Sequence, residues 1–270
     1  MNSEIANNKV VCKYCGKELK AVDYALPGHR PMLVTIPCEC EQAQEDLRKE
    51  REESERSERI EAFSMVWSRS GVPNRFLHVK ANFEMAEPLF NGKWLYLCGD
   101  NGRGKTHAAC QAAKAYLVRN TRREVIHDKK RGDVLGSMRC ATSFHFTEAQ
   151  SLLSEVTSSW SRWDMNEEEV KERWAGVDLL ILDDLGKGVP SEWAAETLFD
   201  IINRRWSNND DDGVSNDFKP RLTIITSQYS IDELADRYHK AGAETLSAMV
   251  SRLKGECKEI PMTGQDRRLS

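Results

Sequence analysis

The residues with the plainest chemistry are eight in a row: Gly99-Asp100-Asn101-Gly102-Arg103-Gly104-Lys105-Thr106. They match G-x-x-x-x-G-K-[ST], the pattern of a loop that cradles phosphate. Its glycines let the backbone curl until several N–H groups face phosphate oxygens, and the helix that follows adds the positive end of its dipole. Lys105 would place its charge on the β- and γ-phosphates, Thr106 would offer a hydroxyl to Mg²⁺, and His107 continues the nucleotide-binding stretch. A second set of candidates ends the apolar run Leu179 to Leu182, where Asp183 and Asp184 follow directly. A carboxylate at the C-terminal end of a buried strand beside a phosphate loop is where Mg²⁺ needs an outer ligand. Asp183 is therefore read as the metal ligand and Asp184 as the base that polarises the attacking water. Gln228, after Thr226 and Ser227, would touch the γ-phosphate or that water if its strand inserts between the other two.

The cysteines suggest a second chemistry. Four of the eight fall in the first forty residues, as Cys12-x-x-Cys15 and Cys38-x-Cys40. Two thiolates at C-x-x-C spacing can hold two corners of a zinc tetrahedron, and Gly16 frees backbone N–H groups to bond sulfur. C-x-C is a less common second half, and His29 is an alternative fourth ligand. So small a segment needs a metal to fold. Cys98, Cys110, Cys140 and Cys257 are scattered and read as small buried hydrophobes.

The elements that must position these residues are legible in outline. With 270 residues, 30% of them charged, the chain is long enough for one or two domains and a sizeable core. Its apolar runs are too short to span a bilayer, and its N-terminus has no secretory pattern, so a cytoplasmic protein without a membrane partner is expected. A net charge of −4 leaves any nucleic-acid contact to a local basic patch. The boundaries expected are a zinc-binding module over 1–42, a charged helical linker over 43–70 and an α/β domain over 71–270. In the linker, acidic and basic residues recur at helical spacing, and Ile60, Phe63, Val66 and Trp67 could dock its end on the next domain. Strands are expected at 94–98, 143–146, 177–184, 221–227 and 258–262. Helices are expected at 105–118, 148–156, 192–206, 231–239 and 245–253. Strands alternating with helices argue for a parallel sheet. Residues 119–139 and 208–217 read as polar surface loops.

Taken together, GVPNRF (71–76), GDNGRGKT (99–106), DLLILDDLGKG (178–188), PSEWAAETLFDIINRRW (190–206), TIITSQYSIDEL (223–234), SRLKGE (251–256) and TGQDRR (263–268) resemble the AAA+ helicase loaders of the DnaC and DnaI type and the similar IstB transposition ATPases. The resemblance covers about 60–270. It implies an AAA+ P-loop NTPase with a five-stranded parallel sheet of order 5-1-4-3-2 that hydrolyses ATP with Mg²⁺. It also implies self-assembly through ATP-bridged interfaces, with Arg252 as the finger that reaches a neighbour's γ-phosphate. Gln228 stands where the family usually has Asn, and Asp184 where many AAA+ sites have Glu. Only eighteen residues follow Arg252, so a lidless domain is expected.

The function that follows is a loader, delivering a hexameric replicative helicase to single-stranded DNA, with the zinc module contacting the helicase. The alternative is an IstB-like helper that acts with a transposase on duplex DNA. A P-loop kinase would need no Arg252 finger and no assembly, and measurable turnover would exclude a non-hydrolysing binding module. Candidates for DNA contact are Trp160, Arg162, Trp163, Lys171, Arg173 and Trp174, where aromatics and cations interleave, and the basic stretch 119–139. Packing tryptophans with solvated charges would give the same pattern.

Overall fold

The computed structural model describes residues 3–6, 9–24, 32–128, 132–161, 163–188, 191–207, 220–239 and 246–264. The acidic stretch 208–217, His29, Arg162, Lys129, Lys130, Arg131 and residues 265–268 of TGQDRR lie outside these, as does Thr245 at the start of the last expected helix. The chain divides into two compact units, Met1–Ile60 and Glu61–Ser270.

The first unit holds two antiparallel pairs, β1 (Ser3–Ala6) with β2 (Lys9–Cys12), and β3 (Ala21–Tyr24) with β4 (Met32–Thr35). The first part of helix α1 (Glu41–Ser68) also belongs to it. Arg48 on this helix pairs with Glu45 at 2.8 Å and with Glu52 at 3.3 Å, the i,i+3 and i,i+4 contacts that steady an exposed helix by a few tenths of a kcal/mol each. The buried apolar residues described here are only Cys12, Cys38 and Ala43, with Leu19 and Cys40 against them. The described residues alone bury too little apolar surface to hold a fold.

The second unit opens with the end of α1. Phe63 and Trp67 are buried, and Trp67 stacks on Phe144 at 5.3 Å and donates its indole N–H to the Leu77 carbonyl. Ile60 stays exposed and does not share this docking. The chain then runs through α2 (Glu87–Phe90), β5 (Trp94–Cys98), α3 (Lys105–Asn120), β6 (Thr121–Asp128), β7 (Gly132–Cys140), β8 (Phe144–Glu148), α4 (Ala149–Ser159), α5 (Glu167–Ala175), β9 (Leu179–Leu185), α6 (Glu192–Ser207), β10 (Leu222–Ser227), α7 (Ile231–His239), α8 (Leu246–Glu256) and β11 (Cys257–Pro261). Five of these strands form one parallel sheet in the order β11-β5-β10-β9-β8. Counted along the sheet's own strands this is 5-1-4-3-2.

Every residue of β5 and β10 is buried, which explains their continuous apolar and β-branched runs: a parallel strand covered on both faces has no polar side to alternate with. Alanines 108, 109, 112, 113 and 115 of α3 are also buried, and their small size lets this helix approach the sheet closely.

Residues 119–139 do not form the surface loop expected of them. β6 and β7 make an antiparallel hairpin, with Val125 opposite Leu135 and Ile126 opposite Val134. The dense arginines hid two short apolar runs, Val125-Ile126 and Val134-Leu135, whose strands become recognisable only when paired.

Trp67→Ala removes a stacked, buried ring whose neighbours cannot fully collapse onto the gap. It should lower unfolding free energy by about 3–5 kcal/mol, measured by urea titration of the full chain.

Candidate functional site: a phosphate loop facing an acid pair

The loop from Gly99 to Gly104 joins the end of β5 to the start of α3. Its glycines carry the backbone angles the motif needs, with φ of 137° at Gly99, 80° at Gly102 and 83° at Gly104. At Gly99 the need is also steric, since a Cβ there would lie 2.6 Å from the carbonyl oxygen of Met262. Lys105 is almost fully buried, and its ammonium donates to the carbonyls of Gly99 at 2.7 Å and Asp100 at 2.9 Å, which holds the curl. Arg103 pairs with Asp100 at 3.1 Å.

Across from the loop, the acid pair sits in an irregular stretch of the sheet. Ile225 is opposite Leu182 and Ser227 opposite Leu185, so the single residue Thr226 faces both Asp183 and Asp184. This is the geometry of a β-bulge, which re-aims side chains at the end of a strand. Asp184 takes up the extra length with a left-handed backbone, φ 56°. Thr226 satisfies both residues: its hydroxyl donates to Asp183 Oδ1 at 2.6 Å and accepts the N–H of Asp184 at 3.0 Å. Thr106 donates to the same Asp183 carboxylate, at 2.9 Å to Oδ1 and 3.2 Å to Oδ2. Burial pushes the Asp183 carboxyl above the ordinary carboxylate range, the hydroxyls of Thr226 and Thr106 oppose the shift, and the charges of Asp184 and Glu148 add to it. A buried carboxylate with raised affinity for positive charge is suited to a cation.

A cavity of about 720 Å³ opens between loop and acids. Asn101, Gly102, Gly104, Lys105, Thr106 and His107 line it from the loop and α3, and Asp183, Asp184 and Gln228 from the strand ends. The structure thus brings the motif, the acid pair and Gln228 together. It also adds residues the sequence did not single out. Glu148 lines the cavity because it pairs in register with Asp183 on the neighbouring strand. Its signal was a polar residue at the C-terminal end of β8, hidden because that strand runs two residues past the expected end. Lys187 bonds Asp184 at 2.7 Å, and that contact raises the pKa of its ammonium. Arg75 and Phe76 line the cavity from the GVPNRF segment. Phe76 meets the His107 ring edge-on at 6.3 Å, and His107 Nδ1 is buried without a hydrogen-bond partner.

Arg252 is not among the residues lining this cavity. It lies on α8 with its guanidinium over the rings of Phe199 and Trp206 of α6.

In the first unit, Cys12, Cys15, Cys38 and Cys40 have all four sulfurs within 4.8 Å of one another. The Cys12–Cys40 and Cys15–Cys38 separations are 3.7 and 3.4 Å. These are far beyond a disulfide bond and close to the sulfur–sulfur edge of about 3.8 Å that a tetrahedral Zn–S₄ centre requires. The backbone N–H of Cys15 holds the Cys12 thiol below its ordinary value. For Cys40, the Ala43 N–H is outweighed by burial and the neighbouring thiols, which push it up to about 11. Gly16, with φ 70°, closes the knuckle by donating its N–H to the Cys12 carbonyl at 2.9 Å. The chemistry of the donor set fits zinc.

The interleaved aromatics and cations are largely committed elsewhere. Lys171 pairs with Glu167 at 2.7 Å and Asp200 at 3.3 Å. Arg173 pairs with Glu155, which also accepts the Trp174 indole N–H. Trp160 donates to Glu167 and packs edge-on against Trp193. Trp163, by contrast, is 98% exposed.

No family model matches the chain, and no curated protein does. Among solved structures it is similar to a DnaI, with 20% identity and a TM-score of 0.48 over 76% of this chain and 93% of that one. It is similar to the DnaC helicase loader at 18% identity and a TM-score of 0.48, covering 71% and 100%. It is also similar to AMPPCP-bound DnaA from Aquifex aeolicus at 19% and 0.43, where 68% of this chain spans 46% of that one, about half its length. The fold is α/β, with five parallel strands in one sheet. The strand order and the site rest on this chain's own geometry.

Thr226→Val keeps the shape of a fully buried side chain but strands the Asp184 N–H and one donor to Asp183. Stability should fall by about 1–3 kcal/mol. In a thermal melt that is a drop of about 2–4 °C for each kcal/mol.

Proposed function

We propose that the chain is an ATP-dependent helicase loader of DNA replication. In this reading it works in the cytoplasm, assembles through ATP-bridged interfaces and delivers a hexameric replicative helicase to single-stranded DNA. The observation that carries the ATPase half is the Thr106–Asp183–Thr226 hydrogen-bonded set, which joins the phosphate loop to the acid pair. Loop N–H groups and Lys105 bind the phosphates. The Thr106 hydroxyl and the Asp183 carboxylate are the groups that would hold Mg²⁺, which when bound would supply charge compensation for the phosphates. Asp184 accepts the proton of the attacking water at its carboxylate, while Gln228 orients the water or the terminal phosphate. Arg252, outside its own chain's cavity, is assigned to the γ-phosphate bound by a neighbouring subunit, where a guanidinium offsets transition-state charge. No helix among the described residues is long and apolar enough to cross a membrane.

The loader half is supported by the first unit and by the resemblance of the motifs. Cys12, Cys15, Cys38 and Cys40 are assigned to Zn²⁺. In the same unit, Val22, Leu33 and Val34 of the β3–β4 hairpin and Ile36 just after it are exposed, apolar surface suited to docking on the helicase. For single-stranded DNA, carboxylates already engage Lys171 and Arg173. Exposed Trp163 is therefore the better candidate for base stacking, and the β6–β7 hairpin, basic in sequence, is the other candidate for DNA contact.

The deciding experiment is a pull-down of the replicative helicase by the full chain, with and without ATP; capture in neither condition overturns the loader reading. Two further outcomes test the sites. Lys105→Ala should abolish ATP binding in a filter assay, whereas Asp184→Asn should bind ATP and stop turnover. Purified protein should carry about one zinc per chain by metal analysis. Changing Cys12 and Cys15 to Ser should release it and unfold the first unit, seen as lost amide protection there.

A further inference from the structure

Arg205, a residue of α6, and Arg252, held against α6, are treated in opposite ways. Arg205 is fully buried and fully bonded. Its guanidinium donates to Thr223 Oγ1 and to the carbonyls of Trp174, Ala175, Val177 and Leu222. Arg252 is half-buried, and its Nε and Nη1 are buried without any hydrogen-bond partner. Four unpartnered buried side-chain polar atoms occur among the described residues. One is His107 Nδ1, in the nucleotide cavity; the other three are Arg252 Nε, Arg252 Nη1 and Asn203 Oδ1.

Those three belong to one patch. The guanidinium carbon of Arg252 lies 5.1 Å from the Phe199 ring centroid and 4.9 Å from that of Trp206. Phe199, Asn203 and Trp206 are spaced i, i+4 and i+7 on α6, so they share one face. Both rings lie within cation–π distance of the guanidinium, Nε and Nη1 are covered beside them, and Nη2, which makes no hydrogen bond and is not among the covered atoms, is the donor left for an outside anion. An arginine kept only for packing would be expected to bond carbonyls, as Arg205 does, because donors buried without acceptors are unfavourable.

We propose that Phe199 and Trp206 form a clamp that positions Arg252 to receive an anion from outside its own subunit, the γ-phosphate of ATP bound to a second copy of this chain. The proposal rests on the trans assignment of Arg252 made above. The clamp restricts the rotamers of a long side chain before the subunits meet, so less entropy is lost when the interface closes. Phe199 and Trp206 are positioning residues, because they act through Arg252 and touch no reacting atom.

The test is complementation between full-length variants, read as ATP turnover. Trp206→Leu should bind ATP as the parent does and turn over about tenfold more slowly, the loss expected for one desolvated cation–π contact. Mixed with Asp184→Asn, it should recover activity, since its intact Walker site then meets an intact finger. Mixed with Arg252→Ala, it should not recover, because neither partner supplies a well-held finger. The opposite pattern, rescue by Arg252→Ala but not by Asp184→Asn, means that Trp206 supports its own subunit's nucleotide site and overturns the clamp. Equal loss in both mixtures means a general packing role and overturns it too. Phe199→Leu should repeat the Trp206→Leu pattern and Trp206→Phe should restore turnover, which guards against a folding defect in one variant. The control mixture of Arg252→Ala with Asp184→Asn separates the two levels. If that pair shows no rescue, the trans assignment itself fails and the clamp fails with it. If that pair is rescued while Trp206→Leu departs from the expected pattern, only the clamp fails.

Discussion

The site depends on one hydroxyl. Thr226 faces two residues instead of one because β9 carries an extra residue opposite it, and its Oγ1 serves both: it donates to the Asp183 carboxylate and accepts the Asp184 N–H. The bulge turns the acid pair toward the phosphate loop, while the left-handed backbone of Asp184 takes up the added length. Thr106 then reaches Asp183 from the loop side. A buried carboxylate is unfavourable unless hydrogen bonds surround it, and here two threonines from different elements provide them. The strand order is therefore a chemical requirement. Thr226 meets Asp183 only because β10 lies between β5 and β9.

Charge is buried in this protein for different ends. Arg205 ties the end of α5 to β10 by filling carbonyls that would otherwise be orphaned, and burial still pulls its pKa down to about 9. Lys105 closes the phosphate loop on itself through the carbonyls of Gly99 and Asp100. Arg252 rests between aromatic rings with donors unspent. Bonded charges of the first kind hold the fold together. A charge left with unpartnered donors stores interaction energy that a partner can release. The two units contrast in the same way. The second is held by a continuous core around the sheet, whereas the first has, among its described residues, a handful of buried side chains and four thiols arranged for a metal.

Local patterns that carry their own chemistry could be read directly from the sequence. The phosphate loop, the acid pair after an apolar run, the C-x-x-C knuckle, and the helices at 192–206 and 231–239 each depend on neighbours within about ten residues, so spacing alone reveals them. The hairpin of β6 and β7 was not legible, because its strands are recognisable only by pairing across the turn and their arginines imitate a solvated loop. The commitment of Lys171 and Arg173 to carboxylates was hidden for a related reason. Glu155 and Asp200 lie on other helices, and nothing in the order of residues says which helices touch.

By itself, the sequence showed residue types whose chemistry suits phosphate, magnesium and zinc and, for the candidates of the second unit, the strand or helix beside them. Those depend on short-range sterics, periodicity and donor chemistry, all of which operate along the chain. Only the tertiary structure decided that Thr226 bridges the bulge, that Glu148 and Lys187 join the cavity, and that Arg252 lies outside it against Phe199 and Trp206. Apart from the Lys187–Asp184 pair, three residues apart, each of these is a contact between elements far apart in sequence. Such contacts are set by strand order and helix packing, which minimise the surface left exposed by the whole domain and so cannot be read from any one segment.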